Sequence, residues 1–527
     1  MSLAELLGFR RRVPVRFRTT VADPIEGDRA RGRALTRGEI TLAGETLYLR
    51  GADWTMAGAS DRFRTHVHGF YWLRDMAGVL PPDRGGEFVR PIISGWLAAH
   101  GDPDADAWRA DRIGARLAFW ALYAPYILGT NDTDYRSAVL SHYVRAATHA
   151  ERNMAKAPPG LPRIVAASGL VIAGLLLERN EKRLAQAETL LDGALGSVVL
   201  QHGLPSSRAP ADLMAVMEWL HVLRTAYEAR GEEWPEAQQG ADSRARAGLR
   251  AARLGDGRLS AMHGGDNYAP ALIDHYLAWP GRAARGLGAG AESGLQRLES
   301  GRTVVTVDAA PPPDSDINDH GHAGALAFEF SDGEERIVTN VGGAPRDSRL
   351  TQAVRTTAAH STLTVDDINQ SELRDGEPLG SGVDTVEVSR RESEEGQWLD
   401  MTHDGYRKRL GLMHGRRLFL AAGGTDLRGE DRLEPVQRKG RQEYPFALRF
   451  HLVPGTDVAP TADGRGAVVK TAQGKMWQLK VSAGNLTVDA SLWIDEEGRA
   501  KPSRQLVVTG ETSADGATLR WRFNKVR

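Results

Sequence analysis

The stretch Asp316-Ile-Asn-Asp-His-Gly-His-Ala-Gly-Ala-Leu-Ala-Phe-Glu-Phe330 runs from a polar, turn-forming segment into an alternating apolar one. Side chains of a β-strand alternate between faces, so the run Ala325 to Phe330 predicts a strand. Residues two apart share a face, which predicts that His320 and His322 converge at the strand's entrance. Gly321 between them would let the backbone bend or approach a ligand. The next residues, Phe330-Ser-Asp-Gly-Glu-Glu-Arg-Ile337, carry an Asp-Gly pair suited to the positive φ angles of a tight hairpin. The region therefore reads as antiparallel β structure with two imidazoles at its mouth.

Further period-two segments lie on both sides: 302–308, 336–341, 361–365, 383–389, 410–420, 447–452, 468–470 and 505–509. Turn residues separate them, which predicts a large antiparallel sandwich. Upstream the period changes. Apolar residues recur at three and four over 108–128, 134–154, 163–177, 181–197 and 210–230, the spacing of amphipathic helices. Short connections such as Ala157-Pro-Pro-Gly160 imply antiparallel neighbours in a bundle, solenoid or toroid. A short extended element is expected between Gly38 and Arg50.

A chain of 527 residues is long for one core, so more than one domain is expected. Lys+Arg number 67 against 68 Asp+Glu, so no global charge favours nucleic acid. The chain has no cysteine, which excludes disulfides, thiolate metal sites and a cysteine nucleophile. The first residues do not match the pattern of a secretory signal, and no apolar run reaches a membrane span, so a cytoplasmic protein without a transmembrane segment is expected. A homo-oligomer is compatible with the sequence.

A second histidine, in Arg355-Thr-Thr-Ala-Ala-His-Ser-Thr-Leu-Thr-Val-Asp-Asp367, also opens an alternating run. His322, His360 and a third ligand could bind zinc, and Asn340 at the end of the strand after the Asp-Gly turn is a candidate neighbour. The other reading of these residues is a set of histidines hydrogen-bonded at a sheet edge.

The ordered set His320-Gly-His through Asp332-Gly, Val338-Thr-Asn-Val-Gly-Gly343 and Ala359-His-Ser-Thr-Leu-Thr-Val-Asp-Asp367 resembles the C-terminal region of the heparinase II/III-like family. His403-Asp-Gly-Tyr-Arg-Lys-Arg-Leu410, Phe446-Ala-Leu-Arg-Phe-His-Leu-Val-Pro454 and His68-Gly-Phe-Tyr-Trp-Leu-Arg-Asp75 are similar to its bacterial branch. The resemblance implies an incomplete α/α toroid over 61–290 and an antiparallel β-sandwich over 295–527, after an N-terminal extension over 1–60. It also implies a polysaccharide lyase, a carbon–oxygen lyase cleaving a uronic-acid-containing poly- or oligosaccharide by β-elimination. Such chemistry must neutralise the uronate carboxylate, remove the C5 proton and protonate the departing oxygen.

Residue by residue, the resemblance makes His320 the catalytic histidine and gives His322, Asn340 and His360 the zinc positions, although Asn340 stands where metal-binding relatives carry Asp. His202-Gly-Leu-Pro-Ser-Ser-Arg-Ala-Pro210 resembles the family's toroid loop, so Arg208 becomes a substrate ligand, but Pro205 occupies the motif's histidine position. His202 could reach the cleft or be a solvated loop residue. Tyr268, with Asn267 beside it in a Gly-rich loop, is the candidate proton-transfer phenol; the alternative is a tyrosine covering apolar surface. His68 and Trp72 could line a sugar cleft or pack in a core. Three functions stay open: a lyase acting on an acidic saccharide, a catalytically degenerate carbohydrate-binding or cell-envelope-associated scaffold, and a metal-dependent hydrolase using His322 and His360.

Overall fold

The computed structural model describes residues 16–178, 181–264, 267–281, 293–345, 348–374, 376–436 and 442–526. The expected domain boundary near 290 lies outside these residues. The chain divides into two compact units. One ends at Leu195 and also takes in Glu218–Gln238; the other holds Gly196–Met217 and the chain from Gln239 onward.

The first unit is helical apart from a small hairpin, β1 (Glu39–Leu42) and β2 (Glu45–Tyr48), which fulfils the extended element expected there. Its centre is the helix Ala110–Leu122, every residue of which is buried, against Leu161–Leu176. A Cβ at Gly169 would run into the backbone of Gly114, so glycine at both positions lets the two helices cross at close range. The expected 108–128 helix is interrupted at Tyr123, just before Pro125, whose ring cannot continue an unbroken hydrogen-bond ladder. Among the described residues no helix is long and apolar enough to cross a membrane.

In the second unit, β3 (Leu295–Ser300), β4 (Thr303–Asp308), β5 (Phe328–Asp332) and β6 (Glu335–Val338) form an antiparallel meander. The Asp-Gly hairpin is present: Asp332 pairs with Glu335, and Gly333 supplies the positive φ of 58°. β7 (Leu363–Val365) joins a second four-stranded sheet. The strands β8 (Val386–Ser393), β9 (Gly396–His403), β10 (Leu412–Ala421) and β11 (Asp426–Pro435) are consecutive neighbours in an eight-stranded sheet. β12 (Pro445–His451) returns beside β7, while β13 (Asp457–Pro460), β14 (Gly466–Lys470) and β15 (Met476–Val481) extend the large sheet. β16 (Asn485–Ile494) and β17 (Ala500–Glu511) complete the order β16-β17-β12-β7, and β18 (Ala517–Lys525) fills the large sheet between β15 and β11.

Phe328 and Phe330 from β5, Leu418 and Leu420 from β10, Phe450 from β12 and Trp521 and Phe523 from β18 share one buried core. Phe328 stacks on Trp521 with ring centroids 5.3 Å apart. Residues from all three sheets meet there, as expected of sheets packed face to face.

Candidate functional site

The predicted strand begins at Phe328, so His320 and His322 lie in the preceding turn and do not share a strand face. They have different environments. The His320 side chain is 28% exposed, whereas His322 is buried. His320 is held through its backbone: its N–H donates to Asn318 Oδ1 at 3.0 Å. Asn318 in turn donates from Nδ2 to the carbonyls of Ser207 (3.0 Å) and His263 (3.1 Å), tying three segments together. Buried Arg355 donates from Nε to the Gly321 carbonyl at 3.1 Å. Gly321 itself has no positive φ, and an added Cβ there would meet only ordinary contacts. The glycine that geometry demands is Gly324, where a Cβ would fall 2.6 Å from His360 Cδ2.

His322 Nδ1 lies 3.0 Å from His360 Nε2, and His360 Nδ1 lies 2.8 Å from the Thr356 carbonyl. A carbonyl only accepts, so His360 carries its proton on Nδ1 and offers the Nε2 lone pair to His322 Nδ1–H. Burial holds both rings neutral. It pushes His360 down to about 4, and burial with neighbouring His360 takes His322 well below the usual histidine range.

Asn340 does not complete a metal site with these rings. Its Oδ1 accepts from the Ser361 N–H at 2.8 Å, and its Nδ2 points to the Ala261 carbonyl at 3.5 Å. The nearby carboxylates are also committed. Glu329 accepts from Arg336 (3.0 Å), Thr339 (2.9 Å), Ser260 (2.6 Å) and the Ala261 N–H (2.7 Å). Zinc sites of this kind require at least three good ligands. Among the described residues no group of three His, Asp or Glu is placed to hold a metal ion, and the donor set of two imidazoles and an occupied carboxamide does not fit zinc.

Beside the histidines lies a buried ionic cluster. Arg208 donates to Asp308 Oδ1 and to the carbonyls of Pro311 and Gly294, the last at 2.8 Å. The other Asp308 oxygen faces His263 Nε2 at 3.0 Å. Burial raises the Asp308 carboxyl, but Arg208 and His263 outweigh it and hold the group below the usual range. Arg208 (φ 58°) and His263 (φ 51°) both have left-handed backbones. Such conformations cost on the order of 1–3 kcal/mol each in non-glycine residues, so the cluster must over-determine them.

The remaining candidates separate by environment. Asn267 spends its Nδ2 on the Ile494 carbonyl at 2.5 Å, and Tyr268 beside it is half-buried. His202 accepts the Leu204 N–H on Nδ1 at 3.3 Å, stabilising its own turn. Arg208 is a structural cation here, not an open ligand. His68 and Trp72 correct the cleft expectation: both are 1% exposed within the helical unit, and Trp96 Nε1 donates to His68 Nδ1 at 3.0 Å. They are core residues because the face that carries them is the buried one. Asp308, Asn318 and Glu329 had no assigned role in the sequence; the available signal was a carboxylate or amide inside or just before an otherwise apolar strand.

Residues 282–522 match the profile described as Heparinase II/III-like, C-terminal. FtsZ-localized protein C of Caulobacter vibrioides (strain NA1000 / CB15N) is 31% identical over 522 residues, covering 95% of this chain and 89% of the relative. The chain belongs to the heparinase II/III-like family. The crystal structure of heparinase III has a TM-score of 0.75 at 14% identity over 97% of this chain and 88% of that chain. A heparan sulfate lyase HepC mutant from Pedobacter heparinus gives 0.65 at 13% identity, covering 95% and 84%. These similarities establish the family's fold, a toroid-type helical region followed by an antiparallel β-sandwich. Within that fold His320 is partly exposed, beside a histidine and arginine network whose donors and acceptors are largely used internally.

Proposed function

We propose that this chain is a carbohydrate-binding, envelope-associated scaffold that uses the polysaccharide-lyase-like fold at sites of FtsZ assembly and has lost β-elimination. The observation that carries this reading is the use of Arg208. Three acceptors take up its guanidinium, including a buried carboxylate, so a uronate carboxylate would have to displace Asp308 and leave it buried with His263 as its remaining partner. Pro205 at the motif's histidine position points the same way, as does the FtsZ-localized relative. A cytoplasmic location belongs to the same proposal, as does a histidine pair closed by hydrogen bonding without zinc.

Lyase activity is the second reading, favoured by one observation: His320 is partly exposed and fixed by its backbone hydrogen bond to Asn318. In that case neutral His320 would remove the C5 proton, electrons would flow to expel the glycosidic oxygen, and Tyr268 would protonate it. A fluorescent fusion should follow FtsZ in cells equally well with and without His320→Ala. Diffuse signal, together with His320-dependent ultraviolet-absorbing product from a uronate polymer, would replace the scaffold reading with the lyase one.

A further inference from the structure

The outward face of the eight-stranded sheet holds a cavity of about 480 Å³, within the roughly 300–1,000 Å³ range of small-ligand sites. The strand registers that form it can be followed residue by residue. Arg391 of β8 pairs with Trp398 of β9, Trp398 with Phe419 of β10, Phe419 with Arg428 of β11, Arg428 with Arg522 of β18, and Arg522 with Lys480 of β15. One cross-strand row therefore carries two aromatic rings flanked by cations. The adjoining row supplies Arg417, Glu430 and Arg520. We propose that this face binds an acidic oligosaccharide. The inference rests on the carbohydrate-binding part of the function proposed above and is independent of turnover at His320.

Charge and shape together favour that ligand. The cavity is lined by Arg417, Arg428, Lys480, Arg520 and Arg522 against the single carboxylate Glu430. Asp400 and Asp426 also reach these arginines, leaving five cations to three carboxylates. The pairings orient the guanidinium forks without burying them: Arg417, Arg428, Arg520 and Arg522 have side chains 44%, 54%, 72% and 49% exposed. A carboxylate can therefore be taken up bidentately at small desolvation cost.

Trp398 and Phe419 lie with ring centroids 4.3 Å apart. Arg391 is 5.6 Å from the Trp398 centroid and Arg428 is 5.4 Å from that of Phe419. The partly exposed Trp398 offers an apolar platform for a sugar ring, with cations at its margins for the acid groups. An extended peptide would add at a sheet edge, through free backbone groups, whereas Trp398, Phe419, Arg428 and Arg522 lie on inner strands of the sheet. A flat anionic bilayer could not fill a concavity.

Isothermal titration of the full chain with tetragalacturonate tests the proposal, alongside maltotetraose, a hexaglutamate peptide and phosphatidylglycerol vesicles. Tetragalacturonate should bind, with affinity falling as salt rises, and Trp398→Ala and Arg522→Glu should each weaken it by about tenfold or more. Maltotetraose should bind far more weakly. If Trp398→Ala fails to fold, Arg520→Glu carries the test, because that side chain is largely in solvent. No binding, unchanged affinity in the variants, or equal or tighter binding of the peptide or vesicles overturns the proposal. Product formation is scored separately: a uronyl product with no effect of the sheet variants refutes the scaffold reading and this site together, while product formation with weakened binding refutes only the former.

Discussion

The cluster around Asp308 and the outer face of the large sheet are built from similar parts and are used differently. At Asp308, Arg208 and His263 close on one buried carboxylate, and little of their hydrogen-bonding capacity faces solvent. On the sheet face the arginines also meet carboxylates, but they stay exposed and outnumber them. An arginine in a lyase-like fold is thus informative only once its partners are known. The first arrangement contributes to folding, whereas the second leaves capacity for a ligand.

The largest contrast should appear on removing one charge from each region. Asp308→Ala leaves the largely enclosed Arg208, 14% exposed, without its carboxylate and should destabilise the chain by about 3–5 kcal/mol in urea unfolding. A cost below about 1 kcal/mol would mean that the cluster is open enough to accept a substrate acid.

Acid provides the next probe. The folded pKa of His360 is about 4, below the roughly 6.5 of an unfolded histidine, so the unfolded chain binds more protons between those values. Stability is fully present above pH 6.5 and is lost as pH falls through that window, by up to about 3 kcal/mol from this residue. Burial also lowers His322, His403, His414 and His451, which add in the same direction. The melting temperature should therefore fall steadily from pH 7 to pH 5, and a flat profile would contradict the neutral buried rings.

Gly324→Ala forces a methyl against the His360 ring and should cost about 1–3 kcal/mol. Arg520→Ala, at the other extreme, should cost less than about 1 kcal/mol, because its side chain is 72% exposed and its ion pair with Glu430 is screened by solvent. A larger loss would show that the sheet face is structural after all.

Much of the fold was legible in the sequence because its periodicity follows burial. The helix expected over 181–197 is found at Glu181–Val198, and the strand expected over 410–420 at Leu412–Ala421. β11 was not legible for a specific reason. Its inward positions include Gly429 and Asp431, so the apolar alternation breaks. Asp431 is tolerated inside because His414 and Arg416 (both 2.8 Å) and Trp521 (2.8 Å) satisfy it. Those partners are far apart in sequence, and no local pattern announces them.

The site was legible in part for the same reason. Spacing drew attention to His320, His322 and His360, but it could not show that a turn gives the first two different environments. Nor could it show that Asp308, a hundred residues after Arg208, captures that guanidinium. For His68 and Trp72 the sequence left cleft and core both open, because helical spacing is the same whether a face lines one or the other.

The decisive measurement is ultraviolet absorbance of the full-length protein incubated with a panel of uronate polymers, alongside His320→Ala. A network already used for structure predicts no unsaturated uronyl product from either protein. Steady accumulation of product by the unmodified chain, abolished in His320→Ala, would contradict it.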